Sequence, residues 1–223
     1  MKVSIMQPYF FPYIGYFQLI NYSDKFINYD DVNYIKGGWI NRNKILSNNS
    51  EIYFNADVSN NKSSSLISDV FYKEKHSSKK IKTIYYSYNK EKNFKNAFPV
   101  IEKCLNYKCK NISELNIYII KQICKYLYID TEIQDTSKIY NNKHLTKQDR
   151  VIDICKKENC TEYINTSGGI RLYSKKDFLN HQIKLNFIKC KIEKPPLNLS
   201  IIHLLMTMDK KCIVDMLDEY VLL

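Results

Sequence analysis

No stretch of this sequence approaches the roughly 20 apolar residues that a membrane-spanning helix needs. The N-terminus, MKVSIMQPYF, has an apolar patch too short and too aromatic for a signal peptide, and it lacks a small-residue cleavage site. The expected location is the cytoplasm. None of the seven cysteines forms a C-x-x-C pair, so no zinc spacing is present and no metal is expected. Several fall within apolar helical patterns and read as reduced core residues. None has neighbours that mark a nucleophile, which leaves a thioester mechanism without support. Histidine is absent before His76. Arginine, glycine and tryptophan are scarce, and no linker or internal repeat is visible.

What is abundant is lysine, mixed with asparagine, isoleucine and tyrosine. The formal charge is +11, with a pI near 9.1. A basic balance fits nucleic acid, a membrane surface or anionic small substrates. The lysines are spread along the chain, with no basic arm and no nucleic-acid motif, so nucleic acid is not the expected partner. The spread suits an AT-rich genome favouring AAA and AAT codons, and a phosphate-bearing substrate is the functional alternative. Under such a bias, residues with GC-rich codons should survive where nothing else works. The glycines fall at Gly15, Gly37-Gly38 and Gly168-Gly169. The arginines are Arg42, Arg150 and Arg171, and the lone tryptophan is Trp39. A retained arginine suggests bidentate grip on carboxylate or phosphate. Chance clustering is the plain alternative.

The pattern of elements is α/β. Residues 2–6 read as a buried strand, Tyr13 to Tyr22 as an amphipathic helix and residues 25–29 as a second strand. Pro8 and Pro12 bracket the loop between the first strand and the helix. Gln7 stands at the end of that strand, where ligands bind in open α/β sheets. Asp30-Asp31 stand at the end of the second. DDVNYIKGGWINRNKIL reads as a loop, Glu51 to Val58 as a strand and Leu66 to Phe71 as another. Ser77 to Tyr128 carries helical stripes. Thr131 to Asp135 reads as a short strand, and Thr146 to Glu158 as a helix capped by Thr146. Arg150 near that helix start implies an anionic partner, either a ligand or a carboxylate. Strand residues 161–165 run into Thr166-Ser167-Gly168-Gly169, either an anion cradle or an ordinary left-handed turn. A short helix near Lys175 to Asn180 and a strand at 183–188 follow. Pro195-Pro196 ends the sheet region, and Ser200 caps a C-terminal helix. The reading is one α/β domain over 1–223, with a mostly parallel sheet flanked by helices. The helical block at about 75–128 is an insertion or a cap.

MQPYFFPYIGYFQLI, SDKFINYDDVNYIKGGWINRNKIL, QDRVIDICK, YINTSGGIRLY and LNLSIIHLL together resemble the WbqC-like protein family, from Met1 to about Leu205. The chain departs from that pattern in three places. His203 stands where the family usually has Asp, the KIEKPPLN segment is shortened, and a middle-region tryptophan is missing. The resemblance implies surface-polysaccharide or O-antigen biosynthesis, where some members carry the label glycine transferase. The opening strand–loop–helix is also similar to HUP-type nucleotidylyltransferases. Without an early histidine, their T/H-x-G-H chemistry cannot be carried over.

Amide formation on an amino sugar needs a base, oxyanion donors and cations for phosphates. Asp30 and Asp31 are the candidate base or amine-binding pair, though an aspartate pair that caps the next turn is equally in keeping. Gln7, Asn41 and Asn43 are oxyanion or hydroxyl donors. Arg42, Lys44, Arg150 and the Gly168-Gly169 turn would take phosphate or carboxylate. Tyr9 and Trp39 would stack on a base or sugar ring, or pack inside. Pro8, Gly15, Tyr16, Asn165 and Tyr173 complete the expected binding set. The expected partner is a nucleotide-linked amino sugar. No cofactor is fixed, and ATP or an activated acyl donor would serve as co-substrate. The oligomeric state stays open, a homodimer included. The function expected is N-acyl or aminoacyl transfer. A binding or assembly factor without turnover and an ATP-using nucleotidylyltransferase are the alternatives.

Overall fold

A computed structural model describes residues 1–73, 77–192 and 198–223. His76 and Pro195-Pro196, named above, lie outside the described residues. The chain begins with β1 (Lys2–Met6), α1 (Ile14–Tyr22) and β2 (Lys25–Asn28). Then come the hairpin β3 (Arg42–Ser47) and β4 (Ser50–Asn55) and the short pair β5 (Val58–Ser59) and β6 (Phe71–Tyr72). The helices α2 (Ser77–Tyr88), α3 (Phe94–Leu105) and α4 (Ile112–Tyr126) follow. The chain returns with β7 (Glu132–Gln134), α5 (Lys147–Lys157), β8 (Glu162–Thr166), α6 (Lys175–Leu179) and β9 (Lys184–Cys190). It ends in α7 (Ile201–Thr207), α8 (Lys210–Met216) and β10 (Tyr220–Leu222).

Six strands form the main sheet in the order β10-β9-β8-β1-β2-β7. All pairings are parallel except β10 on β9. A parallel sheet is covered on both faces, so its strands are apolar nearly throughout. On one face Val3, Ile5, Ile27, Tyr163 and Leu185 pack against Val151 and Ile154 of α5 and Phe178 of α6. On the other, Phe26 packs with Phe17 and Ile20 of α1 and with Ile119, Ile120 and Ile123 of α4. The helical block is therefore part of the second layer and shares its core. It forms the long connection from β2 to its sheet neighbour β7.

The chain leaves β1 for β2 on one side, while β8 pairs on the other. Strand order thus reverses beside β1, and in such sheets the crevice at the carboxyl ends takes ligands. The loop after β1, Tyr29–Asp31 after β2, Asp135–Ser137 after β7 and Ser167–Leu172 after β8 all emerge at this edge.

Several local expectations are corrected. Arg42 to Leu46 is a strand, not a loop. Its buried positions alternate, but one of them is the polar Asn43, which hides the period. Residues 67–69 form a 3-10 turn ahead of β6. Thr146 takes the extended N-cap backbone of α5 but makes no side-chain cap hydrogen bond. Ser200 does cap, accepting from the Ile202 amide at 3.3 Å.

Candidate functional site

The segment Gln7 to Pro12 has no regular structure of its own, so its backbone groups need partners elsewhere. Four elements supply them. The Tyr16 hydroxyl of α1 donates to the Gln7 carbonyl at 2.9 Å. Asn116 of α4 donates to Pro8 at 3.0 Å and to Ile40 at 2.7 Å. Asn43 of β3 donates to Phe10 and Phe11, at 3.2 and 2.8 Å. Ser200 donates to Phe11 at 2.8 Å, and the Ile201 amide to Pro12 at 2.9 Å, where α7 begins. Phe11 is held at φ +43, a left-handed conformation that costs an aromatic residue on the order of 1–3 kcal/mol. The surrounding bonds over-determine this loop, as preorganised ligand sites require.

Against the loop lies a cavity of about 250 Å³ lined by Tyr9, Tyr13, Trp39, Asn43, Lys44 and Asn198. Tyr9, Pro12 and Tyr13 belong to the segment that joins the end of β1 to α1, which places the cavity at the carboxyl edge of the sheet. Burial pushes the Tyr13 phenol up to about 12, with smaller contributions from Tyr9 and Cys190. Burial raises Tyr9 as well. Both phenols are therefore neutral donors at pH 7. Trp39 is 41% exposed and offers its indole to the opening. The Lys44 ammonium is held by Glu51 at 2.9 Å on the exposed hairpin. Such surface pairs exchange partners at little cost.

The period-2 alternation of β2 continues past its end and separates the two aspartates. Asn28 and Asp30 turn toward α4, and Tyr29 and Asp31 toward α5. Asp30 accepts from Ser113 at 2.9 Å, from Thr136 at 2.7 Å and from the Ser137 amide at 3.1 Å. It opens on a second cavity of about 390 Å³, whose wall includes Tyr107, Tyr118, Asp135 and Thr136. No salt bridge to Asp30 is formed among the described residues. Asp31 instead pairs with Arg150, whose Nη2 donates to Oδ2 at 2.5 Å. The same guanidinium donates to the Asp31 carbonyl at 3.3 Å and to Asn142 at 2.9 Å, and lies 5.0 Å from the Tyr29 ring centre. Ser137 also donates to Asp31. The anionic partner expected for Arg150 is thus a carboxylate of the protein. Tyr29 is pushed up to about 12 by burial, which the Arg150 charge only partly opposes.

The remaining predicted residues are placed as follows. Asn165 donates to the Tyr163 hydroxyl at 2.7 Å and accepts from the Thr166 amide. A Cβ at Gly169 would lie 3.0 Å from its Oδ1, so the glycine makes room for this amide. Tyr173 packs edge-on to Tyr163. Gly168-Gly169 lie in the 3-10 turn Ser167–Leu172, and neither has positive φ, so the left-handed turn is not formed. Arg42 donates to the carbonyls of Gly38 and Gly37 and stacks on Tyr53 at 4.6 Å. Its fork closes the Gly37 turn, where φ is +75. Asn41 accepts from Tyr34 at 2.6 Å and donates to Ala56. Gly15 makes room for a side chain, since a Cβ there would sit 2.4 Å from the Tyr13 ring. The Gln7 side chain is half-buried and makes no hydrogen bond to the described residues. The structure thus gathers Tyr9, Trp39, Asn43 and Lys44 at one cavity and Asp30 at another. Asp31 and Arg150 pack with Tyr29 at the ends of β2 and α5; Asn165, Gly169 and Tyr173 surround the end of β8. Tyr13, Asn116, Asn198 and Ser200 were not among the expected site residues, although Ser200 was expected as a helix cap. Polar residues inside apolar stripes, as at Asn116, were the available signal.

No helix among the described residues is long and apolar enough to cross a membrane, and no group of three or more His, Cys, Asp or Glu residues among them could hold a metal ion. An uncharacterized protein of Mycobacterium tuberculosis, Rv1507c, is 28% identical over 171 residues, which cover 74% of this chain and 71% of its own. No solved structure matches. The profile of the WbqC-like protein family matches residues 7–213, and the chain belongs to that family.

Proposed function

We propose that this protein transfers an acyl or aminoacyl group, glycyl in the simplest case, to the amine of a nucleotide-linked amino sugar for surface-glycan biosynthesis. The observation that carries this reading is the cavity under the Gln7–Pro12 loop. Two tyrosines and the lone tryptophan supply ring faces and neutral donors there, and Lys44 supplies a charge that can exchange Glu51 for phosphate. In the step itself the sugar nitrogen attacks the carbonyl carbon of an activated acyl donor. The nitrogen loses a proton to a base, and the donor's leaving group departs with the bonding pair. Gln7, without a side-chain hydrogen bond among the described residues, would hold the oxyanion, and Asp30 would receive the amine or its proton.

The test is to incubate the protein with a dTDP-amino sugar, glycine and ATP and to follow the sugar's mass. A sugar heavier by one glycyl residue is expected, and Gln7→Ala should lower kcat on the order of 100-fold. An unchanged sugar mass with pyrophosphate release would support nucleotidyl transfer instead. A sugar-nucleotide binding factor without turnover is the second reading. It is favoured by one observation: neither Asp30 nor Asp31 lines the Tyr9–Trp39 cavity. Binding with neither product would select it.

A further inference from the structure

A third cavity, of about 340 Å³, has chemistry that the proposed transfer does not use. It lies where the β3–β4 turn, the end of α2 and α7 meet, and Asn48, Asn49, Tyr88, Asn89, Glu91 and His203 line it. Asn48 and Asn49 have φ of +49 and +59, the left-handed pair of a tight hairpin turn. Ser87 donates to Ser47 at 2.9 Å, so α2 is pinned to the hairpin and the walls are fixed to each other. The Tyr88 hydroxyl accepts from the Leu46 amide at 3.0 Å and lies 3.4 Å from His203 Nδ1. Burial pushes this phenol up to about 12, so it stays protonated, and it shares one proton with Nδ1 in a direction set by the His203 tautomer. Burial also lowers His203, against a smaller opposing effect of Glu91, so the ring is neutral at pH 7.

The lining therefore offers amides and an imidazole, each able to donate and accept. The charges of Lys90 and Glu91 offset each other. With no net charge the lining favours neither an anion nor a cation, and an apolar ligand would find little to pack on. Pairs of vicinal hydroxyls match the amide pairs, and Tyr86, 74% exposed at the rim, gives a ring face for sugar C–H groups. We propose that the cavity between the Asn48-Asn49 turn and His203 binds an uncharged carbohydrate unit, at a site separate from the one under the Gln7–Pro12 loop. The two sites share β3: Lys44 lines one and Leu46 the other, roughly 7 Å apart along the strand. This proposal does not depend on the transferase reading.

The test is a titration with N-acetylglucosamine, following the His203 imidazole by NMR and the Trp39 indole by fluorescence. Glucuronate serves as the anionic control. A saturable His203 shift with Trp39 emission unchanged is expected, with glucuronate binding more weakly. Asn89→Ala and Tyr86→Ala, both at exposed positions, should each weaken binding about tenfold, the worth of one neutral contact. A still His203 signal, a response at Trp39 alone, tighter binding of glucuronate or unaltered affinity in both variants would each overturn the proposal. Failure of the glycyl-transfer assay would leave the His203 result untouched.

Discussion

At the residue scale, the Asp31–Arg150 pair dominates. Both side chains are almost wholly buried, and each is also bonded to neutral groups. Removing one charge strands the other in a low-dielectric site, at a cost of about 3–5 kcal/mol. Asp31→Asn should therefore lower Tm by roughly 10 °C or more in a thermal melt. A shift of a degree or two would mean the pair is open to water. The doublet was visible in the sequence as one unit. Its division was not, because it follows from strand alternation running beyond the last ladder hydrogen bond. His203 gives a second prediction at this scale. Its folded value is lowered by burial, so the neutral ring is favoured in the native state. That contribution is whole above the ordinary value of 6.5 and is lost as pH falls from 6.5 through the lower folded value. In melts across that window His203→Gln should show a shallower loss of Tm than the native chain. Parallel curves would contradict the assigned neutral state.

At the scale of elements, the loop after β1 is the centre. Its strand, its prolines and its helix were legible, because apolar runs and prolines mark them directly. Its clamps were not. Asn43, Asn116 and Ser200 lie 32 to 189 residues from the carbonyls they hold, and nothing local announces such partners. Asn43 even looked like a substrate donor. Gly15 tests the loop without breaking its clamps. Gly15→Ala puts a Cβ 2.4 Å from the Tyr13 ring, and the cheapest relief is for that ring to swing into the cavity. Ligand affinity at the Tyr9–Trp39 cavity should then fall at least tenfold while Tm changes little. Equal affinity in the variant would show that Tyr13 is not part of the binding wall. Ser200→Ala, which removes one of the two hydrogen bonds to the Phe11 carbonyl and the cap of α7, should cost about 0.5–2 kcal/mol of stability instead.

For the whole molecule, the sheet order and the shared core explain which expectations transferred. Strands alternating with helices at both ends of the chain predicted the parallel sheet. The helices from 77 to 126 were legible as helices, but not as the covering layer of one sheet face, since that depends on β7 returning beside β2. The same return spreads the predicted residues along the carboxyl edge. The proposed transfer requires that the nucleotide sugar bind under the Gln7–Pro12 loop. Trp39 is the only tryptophan, so its emission reports on that cavity alone. Titration with a dTDP-amino sugar should quench it saturably in the native chain and at least tenfold more weakly in Gly15→Ala. Binding seen by calorimetry with Trp39 emission unmoved would place the ligand elsewhere and contradict this requirement.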